Sequence, residues 1–155
     1  MRTTVKPSDV EAVRALVAAT GMFHAEEIDI AAELVEDGLQ KGSASDYRFR
    51  FVDGPDGLVG YACFGRVPCT LAAWDLYWIA VDPKTQGRGV GRELVAVVEA
   101  DVREAGGTGI YVDTAGRDDY APTRGFYARC GYHVAAELPD FYAPGDAKVV
   151  FAKRF

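Results

Sequence analysis

The chain has 155 residues, with 17 Lys or Arg against 23 Asp or Glu, so its formal net charge is −6. This length fits one domain, residues 1–155, with a sizeable hydrophobic core. The acidic balance argues against a nucleic-acid or anionic-membrane binder, because proteins that neutralise phosphates carry a basic face.

The first third of the chain predicts a short strand and two helices. Residues 3–6 are β-prone. A helix begins after Ser8, which we expect to be its N-cap in a capping box with Glu11, and it ends at Gly21. A second helix is predicted over residues 25–40. Its acidic outer face is either solvated or part of a site entrance.

The remaining segments complete a β-α-α-β-β-β-α-β-α-β-β order. Alternation predicts strands over 47–52 and 58–65, joined by a tight turn, and a long apolar strand over 70–81. Helices follow over 89–105 and 122–129, with strands over 110–113, 132–136 and 148–152; residues 137–147 are predicted to form a loop. This order predicts an α/β (α+β) fold, with a mixed sheet and helices on both faces.

A glycine-rich turn between the apolar strand and the long helix is the most informative segment. Gly87, Gly89 and Gly91 let the backbone approach a ligand, and the first N–H groups of the helix point toward it. Three cations, Lys84, Arg88 and Arg92, surround this turn. The turn therefore predicts an anion site, for a phosphate or diphosphate.

Two other phosphate-binding motifs fit the turn poorly. A Walker A loop requires GxxxxGK[ST], whereas Lys84-Thr85 precedes the glycines. A dinucleotide fingerprint requires GxGxxG, whereas the spacing here is Gly87-x-Gly89-x-Gly91. The alternative is that the turn binds no ligand. The three nearby cations and the conformational cost of ordering three glycines argue against it.

Two motifs resemble those of the GCN5-related N-acetyltransferase (GNAT) superfamily. The segment QGRGVG, from Gln86 to Gly91, is similar to the family's Q/R-x-x-G-x-G/A signature. Residues 125–132 resemble its F-Y-x-x-x-G-[FY] motif, on Phe126, Tyr127, Gly131 and Tyr132. The resemblance is close over about residues 70–134 and points to an uncharacterised bacterial-type member. It implies a central sheet of about six or seven strands, splayed between the fourth and fifth strands.

The resemblance also implies an activity, which is acetyl-CoA-dependent transfer of an acetyl group to a primary amine by direct attack in a ternary complex. Tyr120 stands where the family often has Asn, and Thr123 where Ala is common, so the backbone mode of pantetheine binding is implied more strongly than a side-chain contact. The residues implied for acetyl-CoA binding are Ile79, Ala80, Val81, Gln86, Gly87, Arg88, Gly89, Val90, Gly91, Arg92, Thr114, Tyr120, Thr123 and Phe126.

Two residues are candidates for the proton transfers. Tyr127 matches the family's general acid toward the CoA sulfur, although a core aromatic is the alternative. Asp75 lies where some members carry a glutamate base, and a shorter carboxylate is expected to act through water or to hold the ammonium until it deprotonates. Such a base is needed because a lysine-like amine, with a pKa of about 10.4, is protonated at neutral pH. The alternatives for Asp75 are an outward polar residue or a buried partner for an Arg.

The acceptor is expected between residues 18–42, the strand residues 74–77 and the loop 139–146. Trp74, Tyr77, Phe141 and Tyr142 are the candidate contacts. If the acidic second helix lines the entrance, a cationic acceptor is favoured. Two alternatives stay open: a catalytically silent acyl-CoA-binding regulator, and acetylation of a protein or peptide. Pairing as a homodimer is a further expectation from the resemblance.

Neither a metal nor a membrane is expected. His24 lies beside Glu26 and Glu27 without a third ligand, and His133 is alone on a strand. The cysteines, Cys63, Cys69 and Cys130, are odd in number and form no CxxC, which favours a reducing cytoplasm. The N-terminus does not resemble a secretory signal, and no apolar run approaches the length of a membrane span.

Overall fold

The computed structural model describes residues 1–155 and contains a six-stranded sheet in the order β1-β2-β3-β4-β6-β5. All neighbouring strands are antiparallel except β3 and β4, which are parallel. The elements are α1 Asp9–Ala19, α2 Ala25–Lys41, β1 Tyr47–Gly54, β2 Gly57–Arg66, β3 Ala73–Val81, α3 Val90–Glu104, β4 Gly109–Ala115, α4 Ala121–Arg129, β5 His133–Ala143 and β6 Asp146–Arg154.

Helices cover both faces of this sheet and create two hydrophobic cores. One face packs against α1 and α2, whose Val13, Val17 and Val35 are fully buried with aromatic residues of β1 and β2. The other face packs against α3 and α4 around Leu94 and Val98. The predicted mixed sheet with helices on both faces is therefore confirmed. None of the helices is long and apolar enough to span a membrane.

The sheet opens between β3 and β4. These strands pair only from Ala73 to Asp75 on β3, opposite Gly109 to Tyr111 on β4. The β2–β3 register shifts at Tyr77, and the bulge accompanies the divergence of β3 from β4. The predicted first strand, over residues 3–6, does not form, and the N-terminus makes only an isolated bridge between Arg2 and Phe51. The strands predicted as fourth and fifth therefore correspond to β3 and β4. The predicted splay is confirmed there.

Besides the strand over residues 3–6, two local predictions are wrong. The Ser8 side chain makes no capping hydrogen bond; instead the Asp9 carboxylate accepts the Lys6 N–H at 2.7 Å. A capping interaction occurs at α2, where the His24 N–H donates to Glu27 at 2.8 Å. Residues 137–147 are also no loop, because β5 continues to Ala143 and turns directly into β6.

The position of β5 at the edge of the sheet explains why this strand can continue through residues 137–143. Pro139 lies in this strand, and proline is tolerated at the edge of a sheet, where an N–H group needs no partner. Asp140 has a positive φ of 55°, and its carboxylate accepts the Gly145 N–H at 2.7 Å. The register with β6 shifts between Leu138 and Ala143. The segment that reads as a loop in sequence is therefore an irregular edge hairpin.

Candidate active site

The turn before α3 requires glycine at two positions. Gly87 has a φ of +81° and Gly89 a φ of +89°, which is the left-handed region that side chains disfavour. A Cβ atom at either residue would meet nothing within 4 Å, so the space beside the turn is open. Gly91 differs, because its Cβ would touch the Phe126 ring at 3.4 Å. The turn thus exposes its backbone, while Gly91 lets α3 approach α4.

Most N–H groups of this turn have no partner within the protein, and only the Arg88 N–H donates to a backbone carbonyl, that of Thr85 at 3.3 Å. No backbone carbonyl accepts a hydrogen bond from Gly87, Gly89 or the first three residues of α3. The first N–H groups of a helix have no intrahelical acceptor, and the helix dipole adds positive potential at this end. This arrangement of donors is suited to a phosphate or diphosphate.

Four cations strengthen the positive potential. Lys84, Arg88, Arg92 and Arg129 are all exposed, and none forms an ion pair, although the protein is acidic overall. Arg92 and Arg129 line the same groove as the glycines. Since most other arginines here contact carboxylates or carbonyl groups, unpaired cations around uncommitted N–H groups indicate an anionic ligand.

Two connected spaces follow the splay of the sheet. The outer groove, of about 510 Å³, runs along the turn, α3 and α4 and includes Gly87, Arg92 and Phe126. The inner cavity, of about 280 Å³, lies between the diverging β3 and β4 and includes Tyr77, Thr114 and Tyr127. Both spaces are lined by Ile79, Val81, Gln86 and Thr123. An elongated ligand can therefore extend from the turn into the sheet.

The structure brings most of the residues predicted for cofactor binding to these spaces. The β3 edge beyond Asp75 has no partner on the β4 side, which leaves room for an extended chain beside it. Arg88 lines neither space, although it lies on the turn. The outer groove is lined by Ile79, Val81, Gln86, Gly87, Gly89, Val90, Gly91, Arg92, Thr123 and Phe126, and the inner cavity by Ile79, Ala80, Val81, Gln86, Thr114, Tyr120 and Thr123.

Tyr127 belongs both to the core and to the inner cavity. It is only 3% exposed, and its ring packs against Phe126, Tyr132 and Phe151 at centroid distances of 5.3, 5.7 and 5.9 Å. It nevertheless lines the inner cavity. Burial raises the pKa of its hydroxyl well above the usual value, so the phenol is protonated at neutral pH. The inner cavity is therefore lined by a tyrosine that stays protonated at neutral pH, as a proton donor must be before it reacts.

Asp75 is half-buried at the point where β3 and β4 separate. It pairs in register with Tyr111, so Asp75 and Asp113 lie on the same face of the sheet. Burial of the carboxyl, and then the charge of Asp113, raise the pKa of Asp75, whereas Lys148 opposes this shift. Lys148 forms a 2.6 Å ion pair with Asp113. The raised pKa brings Asp75 closer to the range of a general base.

The predicted acceptor contacts divide into three groups. Tyr77 and Tyr142 line the inner cavity. Phe141 lies outside it, 54% exposed, with its ring 4.8 Å from the Lys148 ammonium. The structure does not bring Trp74 to the cavity, because its ring is buried in the core against Gly107 and below the Arg48 guanidinium. We therefore omit Trp74 from the candidate site.

Several residues of the inner cavity escaped the sequence analysis. Phe23 and Trp78 form part of its wall, with their rings in edge contact at 4.8 Å. Glu27, Asp113 and Arg117 supply its charged side chains. Asp113 lies near the carboxyl end of a parallel strand, a place where ligands commonly bind. The sequence position of Asp113 could therefore have indicated a site residue. The sequence pattern does not distinguish Glu27 from the other carboxylates on the acidic face of α2.

A more voluminous groove lies elsewhere on the molecule. It measures about 940 Å³ and is bordered by the end of α2, by β1 and by the end of α3, including Gly38, Arg48 and Glu104. Arg50 and Asp101 form an ion pair within it. None of the predicted site residues lines this groove.

Two similar proteins are acetyltransferases by name or by family assignment. The chain is 47% identical over 101 residues to blasticidin-S acetyltransferase from Streptomyces morookaense, covering 64% of this chain and 69% of that protein. It is 45% identical to a protein from Desulfovibrio desulfuricans whose crystal structure was assigned to the GNAT family of acetyltransferases. That structure matches with a TM-score of 0.96, over 99% of this chain and 96% of the other.

More distant structures share the fold. An aminoglycoside 6'-N-acetyltransferase in complex with coenzyme A is 20% identical, with a TM-score of 0.75, over 99% of this chain and 97% of the other. The model of the acetyltransferase (GNAT) family matches residues 19–132, which include both motifs and the walls of the outer groove. Together with the close relatives, this match shows that the chain belongs to the GNAT family and is an acetyl-CoA-dependent N-acetyltransferase.

Proposed function

We propose that this protein transfers the acetyl group of acetyl-CoA to a primary amine of a small molecule, by direct attack of the amine in a ternary complex. The observation that carries the proposal is the set of uncommitted N–H groups at Gly87 and from Gly89 to Arg92, which leads into a cavity that contains Tyr127. The relative from Streptomyces morookaense, named for its action on blasticidin S, supports a small-molecule acceptor.

The protein's own residues divide the binding work as follows. The N–H groups of the turn hold the diphosphate, and Arg92 and Arg129 add attraction from the groove walls. The free edge of β3 at Ile79–Val81 aligns the pantetheine arm by backbone hydrogen bonds. An N–H group near Ile79 stabilises the charge that develops on the carbonyl oxygen. Acetyl-CoA supplies the acetyl group as a thioester.

Two proton transfers accompany the exchange of bonds. A C–N bond forms to the amine, and the C–S bond breaks. Asp75 accepts the proton that the amine loses, through a water molecule, because its carboxylate is short and lines neither the inner cavity nor the outer groove. Tyr127 donates a proton to the departing sulfur, so the leaving group is a thiol rather than a thiolate.

The inner cavity favours a small molecule over a protein chain. Residues from three segments surround it: Phe23 from the α1–α2 connection, Tyr120 before α4, and Tyr142 from the β5–β6 hairpin. The Arg117 side chain connects these segments, since its guanidinium donates to the Met22 carbonyl at 2.9 Å and lies 3.6 Å from the Asp146 carboxylate. A peptide bound along its length would require a longer, open groove.

Release of CoA thiol, measured with a panel of amines, polyamines, aminoglycosides, nucleoside antibiotics and peptides, tests the proposal. We expect turnover with a small amine and none with peptides. Calorimetry with CoA and acetyl-CoA provides a separate measure of binding. Tight binding of both without thiol release from any amine would instead indicate an acyl-CoA-binding regulator, and turnover with peptides alone would indicate a protein acetyltransferase.

We also propose that two copies pair through β5. This strand is the edge of the sheet, and all eleven of its residues are exposed, among them Val134 and Leu138. An exposed edge with apolar side chains is a template for pairing with another strand. Light scattering should give the mass of a dimer, and replacing Val134 by Lys should give a monomer; a monomeric parent protein would contradict the proposal.

A further inference from the structure

The charged side chains that line the inner cavity are not equally neutralised. They are Glu27, Asp113 and Arg117. Asp113 forms its ion pair with Lys148 at 2.6 Å. Arg117 contacts the Asp119 carboxylate at 2.8 Å and the Asp146 carboxylate at 3.6 Å. These two charges are therefore balanced by groups of the protein itself.

The negative charge of Glu27 is not neutralised by a cationic side chain of the protein. No Lys, Arg or His side chain lies within ion-pair distance of it. One of its carboxylate oxygens accepts the His24 N–H at 2.8 Å, and the structure gives no protein partner to the other. Glu27 is only half-exposed and faces the cavity, where a negative charge attracts a cation more strongly than it does in open solvent.

Aromatic rings line the same cavity as this carboxylate. They include Tyr120 and Tyr142. Burial and then the charge of Glu27 raise the pKa of Tyr120, whereas burial and then Asp113 raise the pKa of Tyr142, with a smaller contribution from Glu27. Phe23 and Trp78 add a further apolar wall. Carboxylates and aromatic faces attract ammonium and guanidinium groups by complementary means, through charge and through the ring quadrupole.

We propose that the acceptor carries a second positively charged group besides the reacting amine, and that Glu27, with the Tyr120 and Tyr142 rings, is the binding site for that group. The inference rests on the proposed function, because it places the acceptor in the inner cavity. It assigns to Glu27 a role in specificity and no part in the chemistry at the thioester.

A conservative variant separates this role from helix capping. In Glu27→Gln the side-chain oxygen still accepts the His24 N–H, so the cap is retained and only the charge is lost. Glu26→Gln is the matched control, because Glu26 lies in the same first turn of α2, is exposed and does not line the cavity. Thermal unfolding should show that both variants fold like the parent protein.

The experiment measures binding of three amines to the CoA-saturated protein by calorimetry. Pentylamine has one cationic group, whereas 1,5-diaminopentane and agmatine each have two. We expect at least one dication to bind about tenfold or more tightly than pentylamine, since a charged hydrogen bond contributes roughly 1.5–3 kcal/mol. Glu27→Gln should remove this preference, and Glu26→Gln should retain it.

The proposal is overturned if neither dication binds more tightly than pentylamine, or if both variants have the same effect. Thiol release is recorded separately with the same amines. A dication preference without thiol release from these amines, or from any amine of the wider panel, would contradict the proposed function and leave this inference standing. Acetylation of the amines without a preference for either dication would contradict this inference alone.

Discussion

Replacing Gly89 by Ala tests the turn without adding a steric clash. A Cβ at Gly89 meets nothing within 4 Å, so the effect comes from the φ of +89°, which costs a residue with a side chain about 1–2 kcal/mol. The backbone relaxes to reduce this strain and rotates the N–H groups that begin α3. Loss of one charged hydrogen bond would weaken CoA binding by about tenfold or more. Calorimetry measures that change.

Gly106→Ala is the matched control for this variant. Gly106 follows the opposite end of α3, has a φ of +78°, and likewise has open space at its Cβ position. Both variants should lose similar stability, with melting temperatures lower by roughly 2–4 °C for each kcal/mol. Only Gly89→Ala should lose affinity for CoA. If the two variants bind CoA equally well, the turn does not hold the diphosphate.

Four further variants test the roles of individual side chains. Tyr127→Phe should lower kcat by about a hundredfold or more while leaving CoA affinity nearly unchanged, because the buried ring remains; unchanged turnover would exclude Tyr127 as the acid. The acid limb of the pH–rate profile should follow Asp75: Asp113→Asn removes a charge that raises its pKa and shifts the limb to lower pH, whereas Lys148→Gln shifts it to higher pH. A limb that moves with neither variant would exclude Asp75 as the base. Arg92→Gln should weaken CoA binding and reduce its dependence on salt, and an unchanged salt slope, from titrations at several ionic strengths, would place this cation outside the diphosphate site.

The sequence was most informative where one pattern had one physical outcome. The glycines of the turn and the apolar stripe of α3 predicted a strand–turn–helix unit that the structure contains. Gly87 and Gly89 have the positive φ angles that only glycine adopts easily. The position of the splay, between β3 and β4, also followed from the resemblance.

The orientation of side chains along β3 could not be predicted in the same way. Trp74 and Trp78 are four residues apart, and in a regular strand they would share a face. The bulge at Tyr77 shifts the alternation, so Trp74 packs into the core beneath α3, whereas Trp78 packs toward α1 and α2. Nothing in the local sequence marks that bulge, so the face of the sheet that each tryptophan occupies could not be predicted.

The acceptor end of the site depends on segments that are distant in sequence. Glu27 reaches the cavity because α2 begins beside the loop that precedes α4, and Arg117 ties that loop to the Met22 carbonyl. Tyr142 reaches it because Pro139 and Gly145 belong to an edge hairpin rather than to a free loop. These contacts are tertiary, and helical periodicity alone gives Glu27 the same description as the solvated Glu26.

Backbone amide NMR of the protein, titrated with CoA, is the most direct test of the central claim. The account predicts the largest shifts at the N–H groups of Gly87, Gly89 and Gly91, which have no acceptor within the protein. Shifts concentrated instead around Gly38 and Glu104, in the groove on the other side of the molecule, would contradict it.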